Sequence, residues 1–242
     1  MEFAQNAIHE KWFNPGDTTY ANGEQPYMIF PLKTGVTPEE LRNAVFENYV
    51  HTMMVKNSGH LNTGMIGTKI MFDYLIENNH NDLIDIMVNK KTYPGWGYMV
   101  ENGATTAWEQ WNGYWSQIHS CFPYIGGWFY RGLAGIQWDP EAPGFKNIIL
   151  RPALVESVNW VNCSYESNYG EIVSNWKIED NQFQWEVTVP PNSTAKVFIP
   201  GERIQVNGTE VSKEKDIVFL YKESDRSVFS IGSGSYSFTC SL

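Results

Sequence analysis

The hydrophobic period of the chain changes once, across Asp139-Pro140-Glu141-Ala142-Pro143-Gly144. Upstream, apolar residues recur at spacings of three and four, the period of a helix with one buried face. Downstream they alternate, the period of a strand lying on a core. Two prolines and a glycine within six residues cannot continue a helix and mark a boundary. The sequence therefore predicts two domains of different class: helices over 1–138 and an antiparallel β-sandwich over 139–242. At 242 residues the chain is long enough for each part to bury its own core.

In the helical part, Thr37-Pro38-Glu39-Glu40 reads as a start signal, with Thr37 as cap and Glu40 closing a capping box. Leu41, Ala44, Val45, Tyr49 and Met53 then form one buried face, and Ser58-Gly59 ends the helix. A second helix is expected over Gly64–Glu77 with Ile66, Ile70, Met71, Tyr74 and Leu75 inward. A third, over Asn81–Asn89, would bury Leu83, Ile84, Met87 and Val88, and a fourth would cover Ser120–Ala134. Before these, Asn14-Pro15-Gly16-Asp17 and Gly23–Pro26 are turns, with short helices expected within Phe3–Phe13 and Pro26–Leu32.

Beyond the break, nine segments read as strands: Lys146–Leu150, Val158–Ser164, Gly170–Ile178, Gln182–Val189, Thr194–Ile199, Ile204–Val206, Ile217–Leu220, Ser227–Ile231 and Ser235–Cys240. Turns such as Asp180-Asn181 and Asn207-Gly208 separate them, at the roughly 8–12 residue interval of a sandwich.

A formal charge of −10 and an isoelectric point near 5.0 argue against a nucleic-acid or anionic-membrane partner, which needs clustered Lys and Arg. No stretch approaches the roughly 20 apolar residues of a membrane span. The N-terminus, MEFAQNAIHEKWFNPGD, shows no basic start followed by an apolar core. His9, His51 and His80 make no cluster of metal spacing. Cys121, Cys163 and Cys240 give no disulfide framework, although a Cys163–Cys240 bridge stays open.

Chemistry concentrates in Tyr93–Gly135, which holds Trp96, Trp108, Trp111, Trp115 and Trp128, five of the ten tryptophans. The same stretch carries Glu101, Glu109 and His119. Dense indole surface with a few ionisable groups suits a sugar, whose C–H faces stack on aromatic rings while its hydroxyls take polar partners. An aromatic core is the plainer reading of the same composition. Glu109, between Trp108 and Trp111, is the best candidate for a catalytic carboxyl, because apolar neighbours raise a carboxyl pKa into a useful range. It also fits a first-turn glutamate at a helix N-terminus. His119 fits a contact to a sugar hydroxyl or a histidine satisfied in the core. His60, in GHLNTG, fits either the same cavity or a turn, and Glu101 reads as structural.

YPGWGYMVENGATTAWEQW, then SQIHS, GGWFYRGLAGI and DPEAPGFKNIILRPAL, closely resemble the α-L-rhamnosidases of glycoside hydrolase family 78. GHLNTGMIGT upstream and YGEIVSNWKIEDNQFQWEVTVPPNSTAKVFIP downstream extend the resemblance over nearly the whole chain. It implies an (α/α)6 toroid, present here in part, followed by a C-terminal β-sandwich, and an inverting mechanism. It also implies that Glu109 is the general base acting on water and that His119 contacts the rhamnose; Trp108 and Trp111, the nearest tryptophans, are expected to help hold the sugar. The implied partner is a rhamnose-containing oligosaccharide or glycoside, and neither a metal nor an organic cofactor is expected.

Two departures stand beside that agreement. The family's general acid lies in an acidic, tryptophan-containing segment of the early toroid, and no counterpart occurs here. The loop between Glu109 and His119 is also short where the family commonly carries a longer glycine-rich insertion. The chain is accordingly expected to be the second half of a toroid plus its sandwich, inactive alone. Apolar faces such as Leu41/Val45 and Trp128/Leu133 should then lie partly in water, covered by a missing first half or by self-association. The alternative is a non-catalytic carbohydrate-binding or remnant protein.

Overall fold

The computed structural model describes residues 2–120, 122–214 and 216–242. The chain divides into two compact units, Met1–Ile125 and Gly126–Leu242.

The first unit is helical. Helix α1 (Glu2–Trp12) leads into a two-residue hairpin, β1 (Phe13–Asn14) and β2 (Thr19–Tyr20). The Asn14–Asp17 turn closes it: the Asp17 carboxylate accepts from the Thr19 N–H and hydroxyl, and the Asn14 amide donates to the Ala21 carbonyl. Next come α2 (Gln25–Thr34), α3 (Arg42–His51, extended by a π-turn over Thr52–Lys56), α4 (Gly64–Glu77), α5 (Asn81–Val88) and α6 (Trp96–Glu101). Both α3 and α4 pack on α2. The core gathers Met28, Ile29 and Leu32 with Val45, Tyr49, Met53, Met71, Phe72, Leu75, Ile84 and Met87. Gln25, fully buried, ties α2 to the turn after α3: its amide nitrogen donates to Asn57 and to the His60 carbonyl, and its oxygen accepts from the Asn62 N–H.

Three expectations for this unit change. The capping box does not form: a 3₁₀ turn, Glu39–Leu41, precedes α3, and no side chain caps either. In α4, Ile66 is 70% exposed, and Gly67, Thr68, Met71, Phe72 and Leu75 face inward. The inner first turn admits only small residues, since a Cβ on Gly67 would stand 2.9 Å from the Thr63 Cβ. Val45 is fully buried and Leu41 half-buried, so that face of α3 is not open to water.

The second unit opens with α7 (Ile125–Trp128) and a π-turn over Phe129–Leu133, not with a helix from Ser120. Pro123 disfavours helical backbone at Phe122, so the helix starts beyond it. Trp128 and Leu133 are buried here, against the exposure expected of them. Strands follow: β3 (Ile136–Trp138), β4 (Asn147–Leu150), β5 (Trp160–Ser167), β6 (Gly170–Glu179), β7 (Gln182–Val189), β8 (Thr194–Pro200), β9 (Glu202–Val206), β10 (Thr209–Glu210), β11 (Val218–Glu223), β12 (Arg226–Ile231) and β13 (Gly234–Ser241). They form a six-stranded sheet, β10-β9-β13-β7-β6-β5, and a five-stranded sheet, β11-β12-β8-β4-β3. Every pair is antiparallel except β4 with β8. One core joins the two sheets, with Trp176, Trp185, Phe183 and Phe238 from the larger facing Ile148, Leu150, Val197 and Ile231 from the smaller. Both predicted two-residue turns adopt positive φ, Asp180-Asn181 at 49° and 61° and Asn207-Gly208 at 50° and 79°, which matches the strand twist.

Cys163 and Cys240 are free thiols, so the bridge left open between them is not made. Cys240 instead donates to the Pro200 carbonyl, and burial pushes its pKa up to about 11. Cys121 lies outside the described residues.

Candidate active site

Tyr93–Ile125 belongs to the first unit, and within it residues 106–119 fold back as one loop. The Glu109 N–H donates to the Ser116 carbonyl and the His119 N–H to the Ala107 carbonyl, both at 2.9 Å. The Thr106 hydroxyl adds a bond to the Gln117 carbonyl. These rungs place Glu109 on one arm and His119 on the other. The loop turns through Gly113 (φ 75°) and Trp115 (φ 69°), helped by the Asn112 side chain, which accepts from the Tyr114 N–H.

The Glu109 carboxylate is half-buried and accepts from the Ser116 N–H at 3.3 Å. Residue 116 thus holds Glu109 twice, by backbone and by side chain. An anion fixed by a backbone N–H keeps its orientation while a free lone pair stays available to a water. Glu109 is not in a helix, so the first-turn reading does not apply. His119 is half-buried on the facing arm.

The two neighbouring tryptophans stiffen this loop. Trp108 is only 7% exposed, and Gly113 lies against its ring, where a Cβ would come within 3.1 Å of the indole. Trp111 stacks on Phe122 with centroids 3.9 Å apart and meets the edge of Trp96 at 5.3 Å. Trp96 in turn donates its indole N–H to the Phe122 carbonyl at 3.0 Å and packs on Phe72 of α4. Tyr124 packs on Phe72 too, and its hydroxyl donates to Asp73. The aromatic core and the Glu109–His119 loop are therefore packed as one unit, and the two readings of the tryptophan-rich stretch are not exclusive.

His60 has a positioning role. Its Nδ1 lies 2.8 Å from the Pro94 carbonyl and its Nε2 3.0 Å from the Thr92 hydroxyl. A carbonyl can only accept, so Nδ1 carries a proton and donates to Pro94, while the Thr92 hydroxyl can serve Nε2 as donor or acceptor. His60 thereby anchors the start of the aromatic stretch. Glu101, at the end of α6, pairs with Lys91 at 2.8 Å across an exposed surface. Among the described residues no group of three or more potential metal ligands occurs. A separate cavity of about 670 Å³, between Ile8, Trp12, Tyr20, Tyr27 and Phe30, includes none of the loop residues. Sequence reasoning passed over Ser116, because it acts through its backbone, and Gly113, whose only signal is its place in the turn.

Residues 1–133 match the family model described as the bacterial α-L-rhamnosidase 6 hairpin glycosidase domain, and residues 135–214 match the bacterial α-L-rhamnosidase C-terminal domain. An α-L-rhamnosidase of Streptomyces avermitilis is 30% identical over 230 residues, covering 89% of this chain and 21% of that protein. One from Formosa agariphila is 28% identical over 249 residues, covering 96% and 26%. Among solved structures, the α-L-rhamnosidase of Dictyoglumus thermophilum superposes with a TM-score of 0.86 at 28% identity, over 100% of this chain and 28% of that one. The Streptomyces avermitilis α-L-rhamnosidase complexed with L-rhamnose also gives 0.86, at 27% identity, over 97% and 23%. The chain thus spans between 21% and 28% of the length of these relatives. With more than half of its residues matched by the hairpin-domain model, the chain belongs to the bacterial α-L-rhamnosidase six-hairpin glycosidases.

Proposed function

We propose that this chain carries the base side of a site for inverting hydrolysis of terminal α-L-rhamnosides. The observation that supports this most is the fixed Glu109 carboxylate, held by the Ser116 N–H in a loop whose facing arm bears His119. Inversion requires one carboxylate to deprotonate a water on one face of the sugar, while an acid across the ring protonates the leaving oxygen. Glu109 takes the first role. His119 contacts the sugar, and Trp108 and Trp111 form its apolar wall. The acid comes from a segment with no counterpart in these 242 residues, with its carboxyl about 6.5–9.5 Å from that of Glu109. No metal enters this scheme.

The test is hydrolysis of an aryl α-L-rhamnoside by this chain, alone and mixed with a polypeptide supplying the upstream half of a relative's toroid. The chain alone should turn over little, since acid assistance is worth about 10²–10⁴-fold. The mixture should be active, and Glu109→Gln should remove that activity by a factor of the same order. Proton NMR of the first product formed should show the β-anomer; a first-formed α-anomer would rule out the inverting mechanism. Binding of L-rhamnose without turnover in any combination would instead establish a non-catalytic sugar-binding protein.

A further inference from the structure

We infer that the outer face of the six-stranded sheet is a second, non-catalytic glycan surface, suited to an extended neutral oligosaccharide rather than a single sugar. It lies within the sandwich unit and does not depend on the roles given to Glu109 and His119.

Alternation along each strand fixes which side chains face outward. In β5, Val161 and Cys163 pair with Trp176 and Ser174, both buried in the core, so Trp160 and Asn162 face away from it. The pairing register then sets five residues of successive strands in one row across that face: Trp160, Lys177, Gln184, Thr239 and Gln205. Four inter-strand steps make the row about 19 Å long, the span of several pyranose rings. In the next row Asn162 faces Asn175. The Asn175 side-chain oxygen accepts from the Cys163 N–H at 2.8 Å, which leaves its own N–H donors for a ligand.

The solvated face of any sandwich is polar, so polarity alone says nothing. Two features set this face apart. Trp160 is 62% exposed on β5, an edge strand, where a charged side chain would protect the open edge and an indole does not. The rest of the row is amide and hydroxyl, and its single charge, Lys177, is paired with Glu179 at 2.7 Å. An indole followed by a line of neutral donors and acceptors matches a sugar chain. The C–H face of one ring stacks on Trp160, and hydroxyls of the following rings meet Gln184, Thr239 and Gln205. Charge decides against a polyanion, which would meet a chain of net charge −10 and no unpaired cation in the row. A protein partner would find one apolar residue in the row where the core of an interface needs a cluster.

The full chain is run by affinity gel electrophoresis through gels containing galactomannan, xyloglucan or hydroxyethylcellulose, with polygalacturonate as the charged control. At least one neutral polymer should retard the wild type, and polygalacturonate should not. Trp160→Ala should weaken the retarding affinity about tenfold or more, and Gln184→Ala about 2- to 10-fold, the worth of one net hydrogen bond. Both side chains lie on the solvent side of the sheet, so melting temperature should barely move; should Trp160→Ala melt early, Gln184→Ala carries the test. Saturating L-rhamnose should leave the retardation unchanged, which separates this face from the site around Glu109. Migration unaltered by every neutral polymer, or retarded by polygalacturonate as well, overturns the inference. So does retardation that survives both substitutions at full strength. Retardation relieved by L-rhamnose would assign the binding to the Glu109 site and overturn it too.

Discussion

Gly113 illustrates how much of the loop rests on single atoms. Its φ of 75° is strained for any side chain, and a Cβ would come 3.1 Å from the Trp108 ring. Gly113→Ala should therefore lower stability by about 1 kcal/mol or more and displace the turn that carries Ser116, with a loss of L-rhamnose affinity larger than the small shift in melting temperature suggests. Calorimetric titration beside a thermal melt separates the two effects; unchanged affinity would mean that the turn does not hold the Glu109 arm in place. At this scale the sequence points to a candidate only where a side chain differs in kind from its neighbours. Glu109 and His119 stand out by type and neighbours. Ser116 does not, because any residue offers the same N–H, and its importance arises only from the register Ala107–His119 and Glu109–Ser116. His60 was ambiguous for a related reason: its partners are the carbonyl of Pro94 and the hydroxyl of Thr92, more than thirty positions away.

Elements were legible to the extent that they depend on period. The α4 helix runs over Gly64–Glu77 as the spacing of its apolar residues and the Asn78-Asn79 break indicate. Its inward face was harder to place, because Gly67 and Thr68 rather than Ile66 occupy the tight first turn. Strand alternation located the sandwich strands but is silent on direction, so the parallel pairing of β4 with β8 could not be read from it.

The sandwich also depends on one hydroxyl that alternation does not reveal. Ser174 of β6 donates to the Ala134 carbonyl at 2.6 Å and accepts the Trp185 indole N–H at 3.0 Å, all within the core. Ser174→Ala leaves a buried donor and a buried acceptor unmatched. It should destabilise the unit by about 2–4 kcal/mol, read as a drop in denaturation midpoint with unchanged slope. In the helical unit, His80 stacks on Phe46 with centroids 4.2 Å apart, and burial pushes its pKa below the usual 6.5, against the opposing pull of Asp82. With the folded pKa depressed, the unfolded chain binds more protons between the two values. The contribution is thus present above about pH 6.5 and lost as pH falls through 6.5 toward the folded pKa. Melting temperature should decline over that interval, and His80→Gln should flatten the decline; an identical slope in the variant would assign it to other groups.

On the scale of the whole molecule, each unit has a core of its own, but the helical unit leaves much apolar surface uncovered. Val45, expected in water, is buried; Phe3, Val55, Met65 and Ile66 are exposed instead, with Val55 at 64% and Ile66 at 70%. These residues sit on α1, on the turn that ends α3 and on the first turn of α4, where a rotational offset of one position decides which side faces inward. Apolar side chains of this size, left in water, favour association over a monomer, and a net charge of −10 opposes it only weakly at physiological salt. Sedimentation velocity should therefore show the weight-average mass rising with concentration, accompanied by binding of an apolar dye. The double substitution Val55→Lys, Ile66→Lys should shift the distribution toward monomer without lowering the melting temperature, since neither residue contributes to the core. A monodisperse wild-type monomer with one sharp, cooperative melt would show that the exposed surface tolerates water and needs no cover.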